Sequence, residues 1–402
     1  MFKSIDEALE WVMGLRNSDA SFEYFKDVMN ELGNPQNDFY TIHVAGTNGK
    51  GSTVNYLRDL LMSQGYSVGT MQSPHYLTHL DRIRINDVNI EEEAFLRLAN
   101  KYHDFIIEKK LNMFQADYII MCDYFKEKNV DMAVVEVGLG GRLDSTNVVD
   151  NTRLSIITTI GYDHMELLGN TLEEITREKC GIIKDNSKVL VGDLGDGLKD
   201  IVRDIAERHN SEYYELKEYT DLGNREFVYD DEKYAITSYA KYQIHNASLA
   251  IEAFHIVSND YPFAIDTDKA KDALRKSLWK GRFEVVKENP RVILDGAHNT
   301  HGINALVKSF DELEGSKAII FSALKRKEFS KMISILRKHS DKLVITTFPY
   351  YQAINLNEID EEGIVKEENY RKAIDEAIAE YDNVLICGSL YFLSEVAENY
   401  RF

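Results

Sequence analysis

Short apolar, β-branched runs alternate with amphipathic helical stretches along this chain, and the alternation restarts near residue 285. Alternation of that kind is satisfied by a parallel sheet covered by helices, and by few other architectures. In the first stretch Tyr40–Val44, Asp131–Val137, Leu154–Ile160 and Lys188–Val191 read as strands. A helix is predicted over Thr171–Lys179, where Thr171 and Glu174 have capping-box spacing. In the second stretch the predicted strands are Val292–Leu294, Ala318–Phe321, Leu343–Thr347 and Val384–Cys387, with helices over Ile303–Leu313 and Arg371–Tyr381. At 402 residues the chain exceeds one ordinary core. The expectation is therefore α/β throughout: a P-loop-type parallel-sheet domain over 1–280 and a smaller, Rossmann-like domain over 281–402, joined at Gly281–Pro290.

The segment Phe39–Ser52, FYTIHVAGTNGKGS, is an apolar strand, a glycine-rich turn and a helix beginning near Ser52. Glycines let backbone amides curl around phosphate oxygens, and a helix N-terminus adds a favourable field. Thr47, Asn48, Gly49, Lys50, Gly51 and Ser52 are the candidate nucleotide contacts, with Lys50 reaching the β- and γ-phosphates. The generic phosphate-loop signature has Ser or Thr directly after the lysine, and here Gly51 intervenes. A glycine-rich βα turn with no ligand is the alternative.

Glu136 ends an apolar strand and precedes three glycines, so its carboxylate suits a hard cation at the carboxyl end of a sheet. His164 lies in a loop after another strand, where a histidine is as readily structural as functional. Ser73-Pro74 by itself reads as a turn, Lys179 as a surface lysine complementing a helix C-terminus, and Asn246 as the cap of a helix running to Phe254.

An ordered set of motifs links these residues. It runs Leu32–Gln36 (LGNPQ), Gly46–Ser52, Ser73-Pro74-His75, Glu136–Asp144 (EVGLGGRLD), Asp163-His164 and Glu178–Ile182 (EKCGI). It continues with Gly281–Glu284 (GRFE), Asp295–Asn299 (DGAHN) and Gly388–Tyr391 (GSLY). The set closely resembles the folylpolyglutamate synthase family of the Mur ligase superfamily and spans nearly the whole chain.

The resemblance implies an ATP-dependent ligase that adds L-glutamate to tetrahydrofolate through an acyl phosphate, with dihydropteroate as an open second acceptor. It implies magnesium, in two sites, with Ser73, Glu136 and His164 as ligands and a carbamylated Lys179 serving the second ion. Lys50, Lys179 and His298 are then the catalytic candidates. Asn246, Arg282 and Asp295 join the nucleotide site, Asn246 at the adenine edge. Phe114, Gln115, Leu143, Asp144, Ser145 and Ser389 fall to the substrates, with Ser389 holding a carboxylate.

Departures are visible. The family's Phe-Glu pair is Phe114-Gln115, its glycine and histidine ahead of the asparagine are Ala240 and Tyr242, and Thr300 replaces the proline after Asn299. Two competing readings are a Mur-type cell-wall ligase, for whose extra N-terminal domain the forty residues before the loop leave no room, and a P-loop regulatory protein that uses ATP as a switch.

A net charge of −20 argues against a nucleic-acid or anionic-membrane surface, both of which need basic patches. Three widely spaced cysteines argue against a disulfide framework, so a cytoplasmic protein is expected, and the family resemblance implies a monomer.

Overall fold

The computed structural model describes residues 1–16, 21–260, 265–325, 329–359 and 364–402. The chain divides into two compact units, Met1–Tyr219 with Asn246–Arg275, and Thr220–His245 with Lys276–Phe402. The expected boundary at 280/281 differs from this grouping chiefly because residues 220–245 belong with the second unit.

The first unit holds an eight-stranded sheet. Its strands are β1 (Tyr40–Ala45), β2 (Val68–Met71), β3 (Ile83–Ile85), β4 (Val88–Asn89), β5 (Met132–Glu136), β6 (Thr152–Ile157), β7 (Lys188–Val191) and β8 (Glu212–Glu215). They lie in the order β4-β3-β2-β5-β1-β6-β7-β8. From β2 to β8 every neighbouring pair is parallel, and β3 and β4 add an antiparallel edge. The order reverses at β1, the switch point where such sheets open a crevice at their carboxyl ends. Helices Lys50–Ser63, Met113–Glu127 and Leu172–Cys180 bear the residues of interest.

Two sequence readings are corrected by the sheet. The run expected to continue from β6 to Ile160 leaves the sheet after Ile157, because Thr158 and Thr159 turn to bind the phosphate loop. The short strand β2 escaped notice because Gly69 interrupts its apolar pattern. A Cβ there would lie 2.6 Å from the Phe125 ring, so close helix–sheet packing requires glycine.

The second unit contains a meander of β9 (Tyr219–Gly223), β10 (Glu226–Tyr229) and β11 (Glu232–Ala235). Its main sheet comprises β12 (Glu284–Glu288), β13 (Arg291–Asp295), β14 (Lys317–Phe321), β15 (Lys342–Thr346), β16 (Val365–Glu367) and β17 (Asn383–Cys387), ordered β12-β13-β17-β14-β15-β16. Only β12 is antiparallel to its neighbour. The expectation of a linker at Gly281–Pro290 therefore fails, since most of it is β12 paired to β13. Asparagines cap two of the expected helices: Asn299 accepts from the Gly302 amide ahead of Thr300–Asp311, and Asn369 caps Tyr370–Glu380. No helix among the described residues is long and apolar enough to cross a membrane.

Candidate active site

The phosphate loop is built by β1, by the Lys50–Ser63 helix and by the segment after β6. Gly49 has φ +85°, a left-handed conformation that turns the chain into the helix at Lys50, two residues earlier than expected. A Cβ on Gly46 would lie 1.8 Å from Thr158 Oγ1, so the loop and the β6 segment touch backbone to side chain. The Thr47 amide donates to Thr159 O (2.8 Å) and the Asn48 amide to Thr159 Oγ1 (3.0 Å). Thr158 Oγ1 donates to Asn48 O (2.6 Å), and the Gly161 amide donates to Thr47 Oγ1 (3.0 Å). These bonds fix the loop before any ligand arrives. The intrahelical ladder starts only with Thr53 N to Gly49 O, which leaves the preceding amides at the open helix end, the geometry that binds phosphate. Ser52 is buried in the first helical turn.

Two lysines converge behind the loop. Lys50 Nζ and Lys179 Nζ both donate to Gly46 O, at 3.2 and 3.0 Å. Lys179 is 3% exposed, which overturns its reading as a surface lysine. Burial first, and the nearby Lys50 charge second, lower its pKa from 10.5 to about 7. A half-neutral amine at physiological pH is the chemical requirement for reaction with CO₂.

Glu136 closes β5 and is buried. Its Oε1 lies 3.9 Å from Lys50 Nζ, and the Ser73 amide donates to its Oε2 at 3.4 Å. Ser73 and Glu136, far apart in sequence, are thus brought together beside the loop. Gln72 Nε2 donates to Gly51 O (3.0 Å), tying the Ser73 segment to the helix start.

No group of three or more His, Cys, Asp or Glu that could hold a metal occurs among the described residues. Of the cation ligands expected from the sequence, the structure brings Ser73 to the buried carboxylate of Glu136, and His164 lies in the loop after β6. The ammonium of Lys50 beside Glu136 shows that cationic charge is accommodated there, so the residues fit a small, hard cation. His164 is the outlying member. Its backbone is left-handed (φ 49°), its side chain is 40% exposed, and it lies 3.7 Å from the Asp163 carboxylate and 3.9 Å from that of Glu166.

Asn246 is buried in the second turn of the Lys241–Ser258 helix, so it is not the helix cap that its sequence position suggested. Its Oδ1 lies 2.5 Å from where a Cβ of Gly49 would stand, which puts the amide against the phosphate loop.

Several residues expected at the substrates gather around the loop Gly138–Asp144. Gly138 fits between the Phe114 ring and Asp144: a Cβ would stand 2.8 Å from Phe114 Cζ and 3.1 Å from Asp144 Oδ2. Asp144 is buried, and that burial raises its pKa. Its Oδ2 accepts from the Leu139 amide (2.7 Å) and its Oδ1 from the Thr146 amide (3.0 Å), so it organises the loop. Leu143 is 56% exposed and Ser145 half-buried. Gln115 is engaged differently: its Oε1 accepts from the Asn112 amide (3.1 Å) while its own amide donates to Asn112 Oδ1 (3.0 Å), a capping box at the start of Met113–Glu127. The other face of the loop packs on the end of the Leu172–Cys180 helix, with Arg142 N donating to Glu178 O (2.8 Å).

In the second unit, β13 and β17 are neighbours whose carboxyl ends carry Asp295 and, two residues beyond Cys387, Ser389. Asp295 is buried, which raises its pKa against the opposing pull of Arg282. Its Oδ1 accepts from the Ala297 amide (2.8 Å), and its Oδ2 accepts from the Phe283 amide (2.8 Å) and the Tyr242 hydroxyl. Tyr242, noted in the sequence only as a departure, therefore contacts a candidate nucleotide residue. Arg282 lies against Gly296, where an added Cβ would stand 2.4 Å from its Nη1. His298 Nδ1 pairs with Gly296 O (2.9 Å), and because a carbonyl only accepts, Nδ1 carries a proton. Ser389 stands at the N-cap position of the Leu390–Asn399 helix, with no capping bond from its side chain.

Comparison with known proteins gives this geometry a family. Residues 44–260, more than half of the chain, match the Mur ligase middle domain, and residues 281–390 match the Mur ligase glutamate ligase domain. The dihydrofolate synthase/folylpolyglutamate synthase of Bacillus subtilis is 32% identical over the full length of both chains. A bifunctional folylpolyglutamate synthase/dihydrofolate synthase solved with Mn, AMPPNP and L-glutamate bound superposes with a TM-score of 0.85 at 25% identity, over 98% of each chain. The folylpolyglutamate synthase of Mycobacterium tuberculosis, complexed with ADP and AMPPCP, shares the fold with a TM-score of 0.89 over 99% of each chain at 23% identity. With its loop, its two converging lysines and these likenesses together, the chain belongs to the folylpolyglutamate synthase/dihydrofolate synthase branch of the Mur ligases, which are ATP-dependent ligases.

Proposed function

We propose that the chain joins L-glutamate to tetrahydrofolate, and to dihydropteroate as a second acceptor, at the expense of ATP. The observation that carries the reading is the pre-set loop Gly46–Ser52, with Lys50 and Lys179 on one carbonyl and Glu136 beside them. Condensing a carboxylate with an amine is uphill in water, so the acceptor carboxylate takes the γ-phosphoryl group first. Glutamate nitrogen then attacks the acyl carbon, and phosphate leaves.

In this scheme the loop amides hold the phosphates and Lys50 offsets the charge that develops on the transferring group. Ser73, Glu136 and His164 would hold magnesium, which supplies charge neutralisation at the phosphates when bound. Lys179, carbamylated, would give a second ion an anionic oxygen donor; its low pKa supports this. Thr47, Asn48, Asn246, Arg282 and Asp295 contact the nucleotide. Phe114, Gln115, Leu143, Asp144 and Ser145 serve the acceptor, with Gln115 acting through the helix end that presents Phe114. His298 and Ser389 serve glutamate.

In this reading residues 1–280 are the ATP-binding domain and residues 281–402 the glutamate-ligase domain. The net charge of −20 supports a small-molecule enzyme that binds no nucleic acid, the family resemblance supports a monomer, and three buried, free cysteines suit the cytoplasm. The test is incubation with ATP, Mg²⁺, L-glutamate and either acceptor, with products identified by mass. The parent should yield an acceptor one glutamyl residue heavier, and Lys50→Ala none. Parent-like turnover by Lys50→Ala would remove the loop from the mechanism, and ATP cleavage indifferent to glutamate would favour a nucleotide switch.

A further inference from the structure

The middle of β1 carries His43, a fully buried imidazole three residues ahead of Gly46, where the phosphate loop begins. Its Nε2 lies 2.8 Å from Thr146 Oγ1, and Thr146 Oγ1 lies 2.5 Å from Asp144 Oδ1. The direction of these bonds is fixed. Asp144 Oδ1 is already an acceptor from the Thr146 amide, so the one hydroxyl proton of Thr146 goes to Asp144. Thr146 Oγ1 must then accept, and His43 Nε2–H donates to it. The Tyr118 hydroxyl, on the helix that bears Phe114, donates to the carbonyl oxygen of the same Thr146 at 3.3 Å. Thr146 is thus a hub on which β1, the Met113–Glu127 helix and the Gly138–Asp144 loop meet.

A merely structural residue at position 43 has no need to be histidine. The other ring nitrogen, Nδ1, has no hydrogen-bond partner among the described residues, a cost in stability that an apolar side chain would avoid. Burial first, and the nearby Lys184 ammonium second, keep the ring neutral by lowering its pKa to about 3. A neutral ring is one that keeps a single, directional donor. That donor holds Thr146 Oγ1, whose own proton goes to the carboxylate around which Leu139 and Gly138 fold, and Gly138 in turn lies against Phe114. Beyond this tightly bonded frame Leu139 and Leu143 stand 37% and 56% exposed, apolar surface of the kind a flat ring covers on binding.

We propose that His43 is a positioning residue for the acceptor: through Thr146 and Asp144 it holds the Gly138–Asp144 loop against Phe114 in the shape that receives the pteridine-bearing substrate. The inference rests on the functional reading above. It places acceptor recognition partly under the control of the strand that carries the phosphate loop.

The test is steady-state kinetics with tetrahydrofolate on Thr146→Val, Thr146→Ser, His43→Phe and the double variant His43→Phe/Thr146→Val. Thr146→Val keeps the side-chain shape and removes the hydroxyl, so KM for tetrahydrofolate should rise at least about tenfold, with kcat at saturation and KM for ATP within about threefold of the parent. Thr146→Ser restores the hydroxyl and should restore KM. His43→Phe should resemble Thr146→Val, and the double variant should be no worse than either alone, because both break one chain of bonds.

Unchanged KM in a folded Thr146→Val, a Thr146→Ser as impaired as Thr146→Val, additive effects, or failure of the variants to fold would each overturn the proposal. If the parent glutamylates neither tetrahydrofolate nor dihydropteroate, the functional reading falls separately. Calorimetric titration of dihydropteroate into parent and Thr146→Val then decides the positioning claim by the same tenfold criterion, and absence of binding by the parent overturns both.

Discussion

Replacing Lys179 by Met should change the pH dependence of folding stability in a calculable way. Lys179 binds its proton less readily in the folded chain, where its pKa is about 7, than in the unfolded chain, where it is 10.5. Below pH 7 both states hold the proton, and the full cost of burying the ammonium stands. Between pH 7 and 10.5 the unfolded chain holds more protons, so the stability of the parent rises with pH across that window. At about 1.4 kcal/mol per pH unit, that cost is on the order of 4–5 kcal/mol at pH 6.5 and about 1.4 kcal/mol at pH 9.5.

Lys179→Met lacks this contribution altogether. The bond from Nζ to Gly46 O is also lost, but that loss adds nearly the same offset at both pH values. Urea unfolding of parent and variant in CO₂-free buffer should therefore show the variant's advantage shrinking by about 3 kcal/mol from pH 6.5 to 9.5. A difference that stays constant within about 0.5 kcal/mol would refute the reasoning, and with it the claim that Lys179 is poised to react with CO₂. Near pH 7.5 an ordinary lysine is neutral about one time in a thousand, whereas this one is neutral for most of the time. ¹³C-labelled bicarbonate should accordingly give a protein-bound carbamate resonance in the parent that is missing from Lys179→Met.

Two further substitutions probe the site more locally. Gly49→Ala must hold a side chain at φ +85° with its Cβ 2.5 Å from Asn246 Oδ1, so calorimetry should show ATP affinity lowered at least about tenfold; parent-like affinity would contradict the described loop. Gln115→Ala removes the acceptor for the Asn112 amide and should cost about 1 kcal/mol in urea unfolding, whereas Gln115→Glu, which keeps a capping-box acceptor, should stay within about 0.5 kcal/mol.

What the sequence disclosed was mostly what is local. The strand Tyr40–Val44, the glycine turn after it and the Thr171 capping box are contiguous patterns, and each recurs in the structure. Contacts that join distant segments were opaque. Nothing in the residues around Lys179 announces that its ammonium meets the Gly46 carbonyl, because a lysine near a helix end is usually solvated. Thr146 and Tyr242 lie outside every quoted motif; they matter through Asp144 and Asp295, to which only the fold brings them. The strand β12 was mistaken for a linker because Lys287, Glu288 and Asn289 are polar, as an antiparallel edge strand permits. Gln115 shows the reverse: the family comparison drew attention to it as a substrate contact, while its side chain serves the helix end.

The central claim, that the phosphate loop serves to activate a carboxylate, is tested most directly by following oxygen. Tetrahydrofolate labelled with ¹⁸O in its terminal carboxylate is incubated with the protein, ATP, Mg²⁺ and L-glutamate, and the released phosphate is analysed by mass. Passage through an acyl phosphate predicts that each phosphate released per amide formed carries one oxygen from the acceptor. Phosphate free of label, with amide product accumulating, would contradict it.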